Sequence, residues 1–151
     1  MELAASHGDI VMTGSIVIPV YLDESLIARI CTQPSAPSHC FPIDRAKMGH
    51  AYLAIEGVRG EYGAIILEIF LCDSDNNRIH VGTEGLYGLR VASSNEERTG
   101  LTLTEDITEN LSAVLRNIDR NYMEVFITPR LPLPPAVTLQ IKRAVIYLEM
   151  E

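Results

Sequence analysis

Apolar residues between positions 107 and 118 recur at the spacing of one helix face. Leu111, Val114, Leu115 and Ile118 follow Ile107 by four, seven, eight and eleven positions, which is the stripe of an amphipathic helix. Asp106 stands where a helix cap is expected, and Glu109 three residues on completes a capping-box-like pair. The polar run Asn117–Asn121 reads as the exit. A helix of about three turns does not persist alone in water, so the stripe must pack on something.

The period then changes from helical to alternating. Over Tyr122–Thr128, Met123, Val125 and Ile127 face one way and Tyr122, Glu124 and Phe126 the other, the signature of a strand. Pro129 and the prolines of 131–135 stop it, because proline lacks the ladder donor. Val137–Leu148 predicts a second strand. Val137, Leu139 and Ile141 lead its apolar face, then the phase slips at Arg143 and Ala144, Ile146 and Leu148 take over. That slip predicts a bulge near Lys142–Arg143.

The same reading covers the rest of the chain. Met1–Gly8 reads as a loose end. Asp9–Leu22 is a β-rich stretch with Gly14 as a bulge, and Ser25–Thr32 is a strand or a short helix that its period does not separate. Residues 33–47, with Pro34, Pro37, Ser38 and Pro42, form a long irregular loop of the kind that carries function. His50–Val58 is a strand, and Ala64–Cys72 is a near-continuous apolar run that predicts a central strand or one buried on both faces. Asp73–Arg78 is a turn cluster, Ile79–Val91 a strand broken by Gly82, Gly85 and Gly88, and Ser93–Gly100 a polar loop. These elements predict a mainly β, antiparallel sandwich or jelly-roll-like fold of about 7–8 strands with one short helix near 105–118. Residues 1–151 are expected to form a single domain.

Certain segments resemble a known family. The order GLTLTEDITENL over residues 100–111, an alternating strand ending in Pro129-Arg130, a proline-rich connection, and VTLQIKRAVIYLE over 137–149 look like the C-terminal accessory domain of tyrosinases and polyphenol oxidases. Tyr52–Gly60, Ile65–Cys72 and Gly85–Ser93 (GLYGLRVAS) resemble further strands of that domain, so the likeness covers residues 50–149. The resemblance implies a β-sandwich of the kind also found as the third domain of arthropod haemocyanins. It implies a non-enzymatic role: stabilising, shielding or helping to metallate a tyrosinase-like copper oxidase. The oxidase centre of that family uses six histidines on helices. This chain has four, none paired at helical spacing, so it cannot build that centre.

Composition narrows the class. With 47% hydrophobic and 21% charged residues the chain is globular rather than disordered. A net charge of −8 with 12 scattered Lys and Arg excludes a nucleic-acid surface, which needs clustered cations. No apolar run has the length of a membrane span, and no basic start precedes an apolar block, so a cytoplasmic protein is expected. The odd cysteine count, Cys31, Cys40 and Cys72, reads as reduced thiols.

Candidate chemistry is sparse. His39, Cys40, Met48 and His50 lie within twelve residues of one another, and imidazole, thiolate and thioether suit Cu(I); copper is therefore the cofactor this segment admits. The family's accessory domain inserts a bulky side chain into the oxidase mouth, and the candidates here are Phe41, the better placed on its irregular loop, and Tyr87, which between Gly85 and Gly88 reads rather as a packed core aromatic. A different class of function is a small-molecule-binding β-sandwich, an isomerase, cyclase or carrier, with His50, Tyr52, Tyr87 and Arg90 converging on a pocket. A third is a structural subunit that self-associates through sheet edges or faces. No nucleophile elbow is present, and Glu61, Asp73 and Asp75 lack the spacing of an EF-hand loop.

Overall fold

A computed structural model describes residues 1–31, 43–61, 65–94 and 99–150. In chain order the elements are β1 (Glu2–Ala5), β2 (Ile10–Met12), β3 (Ile16–Leu22), α1 (Glu24–Ile30), β4 (Ala51–Val58), β5 (Ile66–Cys72), β6 (Arg78–Gly85), α2 (Leu89–Ser94), β7 (Leu101–Asp106), α3 (Thr108–Leu115), β8 (Tyr122–Pro129), β9 (Leu139–Ile141) and β10 (Arg143–Leu148). Eight strands form one antiparallel sheet in the order β6-β5-β8-β3-β1-β10-β4-β7, and β2 pairs with β9 in a small second sheet. The large sheet is curled until its end strands, β6 and β7, touch without sharing a ladder among the described residues, which makes it nearly a barrel.

Alternation explains the curl. Leu67, Ile69 and Leu71 on β5, Met123, Val125 and Ile127 on β8, Ile18 and Val20 on β3, and Leu53 and Ile55 on β4 are all buried and belong to one hydrophobic core. In register, Ile69 stands opposite Ile127, Ile18 opposite Val125 and Leu53 opposite Ile146. Each such side chain contributes about 1.5–3 kcal/mol on leaving water, and a closed surface buries them with fewest exposed edges.

The helical stripe at 107–118 enters this core as expected: Ile107, Leu111, Val114, Leu115 and Ile118 are all buried. The helix itself is two turns rather than three, because the backbone leaves it at Arg116. Ile107 occupies the cap position without a side-chain bond. Asp106 acts one residue earlier, accepting from the Thr108 backbone N–H at 2.9 Å and from its hydroxyl at 2.5 Å.

The slip at Lys142–Arg143 is larger in consequence than a bulge. Residues before it form β9 in the small sheet, and residues after it form β10 between β1 and β4 in the large one. Asp9–Leu22 divides in the same way, β2 going to the small sheet and β3 to the large, with Gly14 between them. Two expectations are corrected, and a third is narrowed to one of its alternatives. Met1–Gly8 is not loose: β1 lies between β3 and β10, with Leu3 wholly buried, an interior placement that four residues cannot signal alone. Ile79–Val91 is not one strand: it ends at Gly85, and Gly88, at φ +78°, turns the chain into α2, a backbone angle that glycine adopts without a side-chain penalty. β5 is central but buried on one face, its Ile66, Glu68 and Phe70 being half-exposed. Residues 25–30 resolve as helix, with Asp23 Oδ1 capping the Leu26 N–H at 3.0 Å. Of the 33–47 loop, residues 43–47 are described: Ile43 bridges to Cys31, and a turn follows.

Candidate functional site

At one end of the barrel, the tail of β4, helix α2 and the segment leading into β9 come together. Arg59 and Gln140 exchange backbone hydrogen bonds, each N–H donating to the other's carbonyl at 2.8 Å. The Gly60 N–H donates to Ser93 Oγ at 2.9 Å, and that hydroxyl donates to the Leu89 carbonyl at 2.6 Å. Arg90 Nε donates to the Glu61 carbonyl at 2.8 Å. These bonds tie three separate parts of the chain around an open groove of about 460 Å³, lined by Arg59, Gly60, Glu61, Ser93, Ala136, Val137, Thr138 and Gln140. A second open groove of about 590 Å³, lined by Glu61, Arg90, Ser93 and Ser94, adjoins it. Neither Arg59 nor Arg90 pairs with a carboxylate among the described residues.

Beside the grooves stands an apolar projection. Leu86 and Leu89 are buried and anchor the start of α2, while Tyr87 is 80% exposed and Val91 74% exposed. Tyr87 and Val91 are four residues apart, and both side chains are open to solvent. The Tyr87 ring rests over Gly85, where any Cβ would meet it, so the turn holds the ring on glycine.

The predicted site residues fall in separate places. His39, Cys40 and Phe41 lie outside the described residues. Met48 is buried in the core while His50 is exposed, so thioether and imidazole do not share a surface. His50 and Tyr52 have ring centroids 6.3 Å apart, and burial, then the negative charges of Glu149 and Asp106, push the Tyr52 hydroxyl pKa up. Eight residues of extended chain, roughly 26 Å at strand rise, separate Tyr52 from Gly60, so His50 and Tyr52 lie at the other end of β4 from Tyr87 and Arg90. Burial raises the Cys31 thiol, against a smaller lowering by Lys47, and raises the Cys72 thiol as well. Asp73 and Asp75 sit in the β5–β6 turn, where Asn117 Nδ2 donates to one oxygen of each at 2.8 Å; Glu61 is at the opposite end of β5. Among the described residues, no group of three or more His, Cys, Asp or Glu is placed to hold a metal, and no helix is long and apolar enough to cross a membrane.

Arg59, Ser93, Thr138 and Gln140 had no signal in the sequence, because they belong to a turn, a helix and a strand entry that only the fold juxtaposes. Val91 had one: it stands four residues from Tyr87.

The architecture defines a class: a mainly β domain whose one large antiparallel sheet is almost closed, with helices and open polar grooves at its rim. The chain belongs to the family described as "Domain of unknown function (DUF7868)", whose model matches residues 3–149. No curated protein matches it in sequence. Among solved structures it is similar to a xylan-binding module, CBM15, at 19% identity and TM-score 0.51, over 95% of this chain and 78% of that one. It is similar to a latent aurone synthase, a polyphenol oxidase, at 12% identity and TM-score 0.53, over 96% of this chain and 26% of that one. A latent apple tyrosinase aligns at 13% identity and TM-score 0.48, over 94% and 27%. At these identities the likeness concerns the fold. The chain spans about a quarter of the length of either oxidase.

Proposed function

We propose that this is a non-catalytic accessory domain that seats its grooved end on a partner protein, with Tyr87 as the side chain it inserts. The observation that carries the reading is the exposure of Tyr87, 80%, on a turn held by the buried Leu86 and Leu89. An aromatic ring already fixed in place loses little freedom when a partner covers it, and such residues dominate interfaces. Val91 widens the apolar contact, and Arg59 and Arg90 supply a polar rim. The partner we infer is a tyrosinase-like copper oxidase. Support comes from the sequence resemblance over residues 50–149 and from the shared fold with part of a polyphenol oxidase. Phe41 is the second candidate for insertion. A part in metallation would rest on His39, Cys40 and His50, since Met48 is buried.

A second reading is a carrier of small polyhydroxylated ligands. The groove of about 460 Å³ with Ser93, Thr138 and Gln140 lies within the usual size range of ligand sites, and the fold is shared with a xylan-binding module.

The test is affinity capture from an extract of the source organism with the wild-type domain and with a Tyr87→Ala/Val91→Ala variant. We expect the wild type to retain a copper oxidase, identified by mass and by diphenol oxidation, and the variant to lose at least about tenfold of it, as for a hot spot worth about 1.4 kcal/mol or more. A wild-type domain that retains no copper oxidase overturns the accessory reading and leaves the groove as the binding surface.

A further inference from the structure

The curled sheet is open between β6 and β7, and two glutamates face each other across that seam. Register fixes their direction. Glu84 stands opposite Leu67 and Gly82 opposite Ile69, both wholly buried, so this part of β6 faces inward. On β7 the inward residues are Leu103 and, two positions on, Glu105, which stands opposite the buried Leu53 of β4. The Glu105 carboxyl fits over Gly82, where a Cβ would collide with it. One of its oxygens, Oε1, is buried with no hydrogen-bond partner among the described groups. A buried, orphaned carboxylate oxygen is costly, and a second carboxylate beside it makes ionisation of both costlier still. The arrangement is satisfied when one proton lies between the two side chains.

We propose that Glu84 and Glu105 form a proton-sharing latch across the β6–β7 seam, which holds the barrel closed while the proton is bound and loosens it when the proton is lost. The donor is the carboxyl of Glu105, the acceptor the carboxylate of Glu84, and the proton leaves to water. Burial first, then the hydrogen bond and charge of Glu84, raise Glu105 to about 8. Facing Glu105 from β6 are Gly82 and Glu84, and from β4 Leu53; Glu84 is the one charged group acting on it among the described residues. The other titratable groups of these strands lie on the outer face: His80 bonds Glu68 there, Arg78 lies over the Phe126 ring, Tyr52 stands opposite Asp106, which is held by Thr108, and Glu56 pairs with Arg143. Inward-pointing charge on an edge strand also discourages pairing with another chain, so the pair guards the two edges when the seam parts.

The sign follows from linkage. With the seam closed Glu105 titrates near 8, and in an open, hydrated seam near its ordinary 4.5. Opening therefore becomes easier as pH rises between these values, by up to about tenfold per pH unit, and levels off above pH 8. Two measurements test this. In wild-type protein labelled with ¹³C at glutamate carboxyls, one resonance is expected to titrate near pH 8 and to be missing in Glu105→Gln. Amide hydrogen exchange, expressed as protection factors at pH 5.5 and 7.5, is expected to show protection at β6 and β7 falling at least about tenfold in the wild type. In Glu105→Gln, whose amide still donates to Glu84, the fall should stay below about twofold. The outer-face contacts of β6 with Glu68 are unchanged in that variant and contribute equally to both proteins. A Glu105 resonance that titrates below pH 6 overturns the latch even if the variant does not fold, as does an identical pH dependence of protection in both proteins.

Discussion

Glu68 shows how one side chain organises the outer face of the sheet. Its carboxylate accepts from the Thr83 hydroxyl at 2.7 Å, from Arg130 at 2.6 and 3.0 Å, and shares a 2.5 Å contact with His80 Nε2. Those bonds, led by the Thr83 hydroxyl, hold it at about 2 against an ordinary 4.5. A depressed carboxylate stabilises the fold above its unfolded value and loses that contribution as pH falls through the folded one. Glu68→Gln is therefore expected to lower the melting temperature at pH 6 and to match the wild type near pH 2, measured by circular dichroism melts at both. An equal deficit at both pH values would remove the carboxylate from the account. None of this network is readable in the sequence: Glu68 lies on β5, His80 and Thr83 on β6 and Arg130 just past the end of β8, and only register brings them together. Tyr87 differs. Its place between Gly85 and Gly88 admitted either an inserted plug or a packed core aromatic, and the structure corrects the core reading by presenting the ring to solvent.

At the scale of elements, α3 and β8 followed their periods closely, because each buries one clean face. Leu111 is the centre of the helical stripe and is wholly buried. Leu111→Ala is expected to cost about 2–5 kcal/mol, read from the urea midpoint, whereas a change at the exposed Glu109 on the same helix should stay within about 0.5 kcal/mol. Where the periods misled, a second constraint had overridden them. Gly88 turned an apolar stretch into α2 rather than more strand. The phase slip before β10 carried the chain from one sheet to the other. A slip of one residue looks the same in sequence in either case, since only the partners on each side distinguish a bulge from a crossing.

For the whole molecule, the strand that looked least structured is interior. β1 carries ladders to both β3 and β10, and the Met1 ammonium donates to the Leu148 carbonyl at 3.2 Å. Removing residues 1–6 would leave two strands of the large sheet without their common neighbour and take Leu3 from the core. We expect that truncation to abolish the cooperative thermal transition, followed by near-ultraviolet circular dichroism. A truncated chain that melts cooperatively within a few degrees of the full one would show that β3 and β10 re-pair. What the sequence determined by itself was local: which residues alternate, which repeat at 3.6, and where proline and glycine interrupt them, because side-chain direction follows from backbone geometry alone. From these came the β class, the apolar helix stripe at 107–118 and most strands, whereas the exposure of Tyr87 came from the turn that the fold builds at Gly85–Gly88. Strand order, the near-closure of the sheet, the groove at Arg59 and Gln140 and the carboxyl pair at the seam were decided by the tertiary structure. Each depends on contacts between residues far apart in the chain, whose free energy arises when the sheet curls and water is excluded.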